Sequence, residues 1–179
     1  MRVLLALARL IDALTERVGR LVIWLVLVAT LISAGNALAR YALGASSNAW
    51  LEIQWYLFGA MFLLAAGYTL KHNGHVRIDI LYHRLGARGQ AWIDFAGGLL
   101  FLLPMALLLM WLAWPMFVDA WVTHEMSPDA GGLVRWPVKL LLPVGFALLA
   151  LQGIAEVIKR IGVLSGRLVL PHEAPEEEV

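Results

Sequence analysis

Residues 21–39 read LVIWLVLVATLISAGNALA, a run of 19 residues with no charge. A bilayer core about 30 Å thick is crossed by about 20 apolar helical residues at a rise of about 1.5 Å each. This run is therefore a transmembrane helix, and three more follow it. Residues 51–70 carry one charge, Glu52, in the first turn. Residues 92–118 carry only Asp94, near the start. Residues 138–158 carry Lys139 and Glu156, near the two ends. The third run exceeds the core thickness, so it tilts or projects. Pro104 and Pro143 fall inside the third and fourth runs and predict kinks.

Composition agrees with four spans. Hydrophobic residues make up 61% and charged residues 15% of the 179-residue chain, against about 45–50% and about 25% in soluble domains. Net charge is +1, which leaves no nucleic-acid footprint. Cysteine is absent. Disulfides, thiolate metal sites and thiol catalysis are therefore excluded, and with them the quinone-linked thiol oxidases that also use four helices.

The basic residues set the orientation. Arg2, Arg9, Arg17 and Arg20 precede the first span. Lys71, Arg77, Arg84 and Arg88 lie between the second and third, and Lys159, Arg160 and Arg167 follow the fourth. Those are eleven, against three (Arg40, Arg135 and Lys139) on the opposite side. The positive-inside rule puts both termini in the cytoplasm and residues 119–137 outside. Trp50, Trp121 and Trp136 then mark the outer boundary and Trp92 the inner one.

Residues 1–20 admit two readings. Ala37-Leu38-Ala39 resembles a signal-peptidase site, which would leave a mature chain starting at Arg40. Against this, Val3, Leu4, Leu7, Leu10, Ile11, Leu14 and Val18 recur at helical spacing, with Arg2, Arg9, Asp12 and Glu16 on the other face. That pattern predicts a retained amphipathic helix lying on the inner membrane surface or packing on a partner. The fold class expected is thus an all-α integral membrane protein: an interfacial helix over 1–20, a four-helix membrane domain over 21–159, and a cytoplasmic tail over 160–179. The tail's acidic, proline-punctuated end predicts disorder.

Chemistry is sparse. No histidine falls at midspan, which argues against haem. His72, His75 and Asp79 are too loosely spaced for a metal site. No nucleotide-binding or nucleophile motif appears, and no enzyme activity is expected. Few polar groups reach the midplane, so the bundle is a poor path for a hydrophilic solute. These features indicate an accessory or scaffold subunit more readily than a carrier.

Candidate interface residues follow from that reading. Ala29, Ser33 and Ala37 form a ladder of small side chains at a spacing of four, which lets another helix approach closely. Trp55, Trp111 and Trp114 offer large apolar faces. Glu52 sits in the first turn of the second helix, where the helix dipole favours an acid. It is either a polar contact, proton or cation site, or a simple interfacial acid. Gln54 and Asn36 can hydrogen-bond between helices.

The stretches Trp50-Leu51-Glu52, Phe62 to Tyr68 and Lys71-His72-Asn73-Gly74-His75-Val76-Arg77-Ile78-Asp79-Ile80-Leu81, together with Gly131 to Lys139, Pro143 to Phe146 and Leu149 to Gln152, resemble the small membrane subunit of tripartite ATP-independent periplasmic (TRAP) transporters, the DctQ-like family. The likeness spans about 21–159 and leaves out the N-terminal segment and the acidic tail. It implies a secondary transporter of the bacterial inner membrane in three parts. A periplasmic solute-binding protein delivers an organic acid. A large multi-spanning permease carries it with a cation, sodium being expected there. The small subunit extends the stationary scaffold and itself needs no cofactor. The resemblance carries Glu52, His75, Arg77 and Asp79 onto motif positions. By this analogy Glu125, Asp129, Gly131 and Gly132 in the outer loop are candidates for docking the binding protein. An autonomous small carrier using Glu52, or a membrane redox-subunit anchor, are the other classes considered.

Overall fold

The computed structural model describes residues 1–45, 47–75, 82 and 85–167. These form long helices: α1 (Arg2–Leu43), α2 (Asn48–Lys71), α3 (Ala87–Gly97), α4 (Leu103–Val122) and α5 (Trp136–Leu164). A π-helical turn, Gly98–Leu102, joins α3 to α4 without a break. Among the described residues four helical stretches are long and apolar enough to cross a membrane: Arg2–Leu43, Asn48–Lys71, Ala87–Val122 and Trp136–Leu164. The chain is an all-helical, multi-pass membrane protein.

α5 is the central element and touches every other helix. Small side chains allow the close approach. A Cβ at Gly145 would lie 2.7 Å from Leu63 Cβ and 2.9 Å from its carbonyl oxygen, so α2 and α5 meet nearly backbone to backbone. One apolar cluster joins Ala106 on α4 to Leu149 and Ala150 on α5, with Ala66, Leu70 and Phe146 packed around it. A second joins Ala8 and Ile11 to Ala155 and Ile158. Most other large apolar side chains point outward, as expected where lipid replaces water as the solvent.

The first helix departs from the sequence reading. Residues 1–20 are no separate surface helix: α1 runs unbroken through Arg20 and Leu21 to Leu43. Gly19 alone cannot interrupt it, because a mid-helix glycine costs only about 1 kcal/mol and this one is where Tyr68 packs against α1. Ile11, read as part of a lipid-facing stripe, is buried against α5. Asp12 and Glu16, read as solvent-facing, turn into the bundle. The apolar face is thus only partly where periodicity put it, since a neighbouring helix supplies partners that a lone amphipathic helix lacks.

The other spans begin and end beyond their apolar runs, because polar end turns are helical too. Ahead of Pro104 stands the π-helical turn. Proline cannot donate to the carbonyl one turn back, and a wider turn is one way a helix accommodates that missing donor. Arg77, Asp79 and the residues from 168 onward lie outside the described residues.

Candidate functional site

One polar site gathers at the end of the bundle where α2 begins and α4 ends. α2 starts at Asn48, so Glu52 falls in its second turn and faces the connection between α4 and α5. Glu52 is 4% exposed. One carboxylate oxygen accepts from the backbone N–H of Leu133 at 2.6 Å, and the other accepts from the Ser127 hydroxyl. Around it the α4–α5 connection folds back as a short hairpin. Ser127 N–H donates to Leu133 O at 2.9 Å and Arg135 N–H to Glu125 O at 2.9 Å, with an antiparallel bridge between Met126 and Val134.

Neighbouring side chains pin the same loop. The Tyr56 hydroxyl donates to Val134 O at 2.9 Å and Asn48 Nδ2 to Ala130 O at 3.0 Å. Lys139 pairs with Glu125, and the Arg135 guanidinium lies 5.5 Å over the Trp55 ring. Gly132 is required here: a Cβ would come within 2.5 Å of Ser127 Cβ and 2.9 Å of Glu52 Oε1. Gly131 has a left-handed φ of 71° and turns the chain at the exposed tip beside Asp129. Glu52 therefore anchors a shaped α4–α5 loop, with both its oxygens engaged inside the chain.

At the opposite end a second network joins the helices. Gln152, fully buried, accepts from Thr15 at 2.8 Å and donates to Asp12 at 2.8 Å and Glu156 at 2.9 Å. Lys159 reaches Asp12 at 3.2 Å and Glu156 at 2.6 Å. Glu16 gathers Lys71 at 2.7 Å, His72 at 3.0 Å and Arg20 at 3.0 Å. The Arg160 guanidinium pairs with Asp94 at 2.9 Å, and the Tyr82 hydroxyl donates to the same carboxylate at 2.8 Å. α1, α2, α3 and α5 are held together at this end by charge-assisted bonds, the stronger class of hydrogen bond.

Five of the remaining candidates line two outward grooves. Ala29, Ser33 and Gln54 meet in a groove of about 550 Å³ between α1 and α2, with Phe58 and Phe62 on its rim. Ala37 is exposed and does not line it. Gln54 Nε2 donates to Trp50 O at 2.9 Å, within its own helix. Trp111 and Trp114 line a wholly apolar groove of about 560 Å³ between α4 and α5, with Met110, Pro143 and Val144. Trp55 stacks edge-on against Tyr56, its ring centroid 4.4 Å away. His75 is exposed just after the end of α2. Sequence reasoning missed Ser127, Tyr56, Thr15 and the structural roles of Asp12 and Gln152, because each acts on a partner far away in the chain.

The arrangement is two polar ends around an apolar middle, with outward grooves. The family model for the DctQ component of tripartite ATP-independent periplasmic transporters matches residues 29–162. The chain belongs to the DctQ family. It is therefore a small permease subunit of a TRAP transporter, a component of a larger complex and not a member of an enzyme family. No curated protein and no solved structure matches it. The match begins at Ala29, so the N-terminal half of α1 lies outside it.

Proposed function

We propose that this DctQ subunit is the fixed membrane scaffold of its transporter. It would hold the large permease in place and present a shaped outer loop to the solute-binding protein, and it would not carry the substrate itself. The observation that carries this reading is the engagement of Glu52: the acid best placed to bind a proton or cation already holds Ser127 and Leu133. The network at the other end supports a rigid body, since its polar groups tie helices to one another. By analogy with the family, an organic acid and a coupling cation, sodium being expected, bind in the partner. Both termini face the cytoplasm of an inner membrane, and the loop containing Glu125, Asp129, Gly131 and Gly132 meets the binding protein in the periplasm.

The deciding experiment is co-purification with the large permease subunit from the same genome, followed by uptake in vesicles with and without this chain. Uptake should require the small subunit, and the purified chain alone should transport nothing. Uptake that persists in its absence, or transport by the chain alone, would overturn the reading.

A further inference from the structure

The N-terminal half of α1 has three sectors. Ala8, Ile11, Thr15 and Gly19 are buried in the bundle. Asp12 and Glu16, the only acids in residues 1–20, are bonded to α5 and α2. What remains outward is a strip of Val3, Leu7, Leu10 and Leu14 beside Arg2, Arg9 and Arg17, while Arg20 pairs with Glu16 at 3.0 Å. Val3 is 81% and Leu10 69% exposed. With both acids turned inward, this outward face combines aliphatic side chains with arginine alone.

We infer that this face is a lipid-binding ledge, seated in the headgroup region of the adjoining leaflet and selective for anionic phospholipid. Its apolar strip does not stop where the apolar run begins. Val3, Leu7, Leu10, Leu14, Leu21 and Val28 are all exposed and spaced by three, four or seven residues, so the strip continues as the outer surface of the span. Length supports the same conclusion. A helix of 42 residues is about 63 Å long, about twice the hydrocarbon core. Upright, it would lift the strip into water. Inclined, it keeps the strip at the interface, where aliphatic side chains enter the acyl boundary and arginines meet phosphate. The ledge differs from a free amphipathic anchor because its inner side is fixed to the bundle through Thr15–Gln152 and Asp12–Lys159. Lipid held there sets the inclination of the whole subunit.

The chain contains no cysteine, so single nitroxide labels at Leu10→Cys and Ala13→Cys report without background. The full-length protein is reconstituted in vesicles of phosphatidylcholine and phosphatidylglycerol at about 7:3, with no partner present. Oxygen should relax the Leu10 label more strongly than a water-soluble nickel chelate does, with the reverse at Ala13. In the second arm, spin-labelled phosphatidylglycerol should be retained over phosphatidylcholine, and Arg2→Gln/Arg9→Gln/Arg17→Gln together should reduce that preference at least about threefold. These side chains are exposed, and the depth measurement on the Leu10 variant stands apart from whether the triple variant folds. A Leu10 label dominated by nickel, dipolar broadening between Leu10 labels of two copies, shielding only after the permease is added, or an unchanged lipid preference would each overturn the inference. None of these readouts depends on transport, so their failure is separate from failure of the scaffold reading.

Discussion

Glu52 and Leu133, 81 positions apart, are joined by a 2.6 Å hydrogen bond from the Leu133 backbone to the Glu52 carboxylate. The bond ties the first part of α2 to the far side of the α4–α5 loop. Glu52→Gln keeps the shape but weakens a charge-assisted acceptor. The Leu133 amide should then exchange with deuterium at least about tenfold faster, while the helices stay protected. If the complex still assembles but ion coupling is lost, the acid acts in the transport cycle and the scaffold assignment fails.

Gly19 is a point of helix contact. A Cβ there would lie 2.2 Å from Tyr68 Cδ2. Gly19→Ala improves intrinsic helix propensity by about 1 kcal/mol, yet overpacking costs about 1–3 kcal/mol. The steric term should win, and the variant should melt several degrees lower in detergent. A higher melting temperature would mean that Tyr68 swings aside freely.

Gln152→Leu removes the hub of the network at the other end. Thr15 loses its acceptor and Asp12 a donor, while Lys159 still reaches Asp12 and Glu156. Interhelical hydrogen bonds in membranes average about 0.6 kcal/mol, so the loss of two across the α1–α5 contact predicts a modest fall of about 1 kcal/mol. Thermal unfolding followed by tryptophan fluorescence measures it. A melting point above that of the parent chain would show that an apolar contact serves the α1–α5 seam better.

Orientation is a separate expectation from the excess of basic residues on one side. Periplasm-active and cytoplasm-active reporters fused at Gly131 and at Glu177 should give opposite signals. Signals from the same side would refute the placement of both termini in the cytoplasm.

The spans were legible because lipid demands apolar runs about 20 residues long, and four such runs exist. Helix ends were less so, since Asn48 and Ala87 start helices with polar or small residues that hydropathy passes over. The N-terminal half of α1 shows the limit of periodicity. A pattern of apolar and charged positions specifies two faces, but it does not say which one a neighbouring helix will cover. Here the side bearing Asp12 and Glu16 went inward because Lys71, His72, Gln152 and Lys159 await it there. Glu52 was recognisable as unusual from its place in an apolar helix. Its partners were not, because Ser127 offers a common hydroxyl and Leu133 contributes only its backbone.

The groove between α1 and α2 gives the sharpest test of association. Ala29 closes its floor, Ser33 and Gln54 line it, and Phe58 and Phe62 stand exposed at its edge. Ser33 faces outward, so a large side chain placed there enters the groove without displacing the chain's own core. Ser33→Trp should therefore leave the isolated subunit monodisperse, with an unchanged melting temperature. If a permease helix lies along this ladder of small residues, close approach is blocked and overpacking of about 1–3 kcal/mol falls on the complex alone. Recovery of the permease in pull-downs should drop by about tenfold, since 1.4 kcal/mol corresponds to a factor of ten. The control is Trp111→Ala in the groove between α4 and α5. Should that change abolish recovery while Ser33→Trp leaves it intact, the permease contacts the opposite side of the bundle.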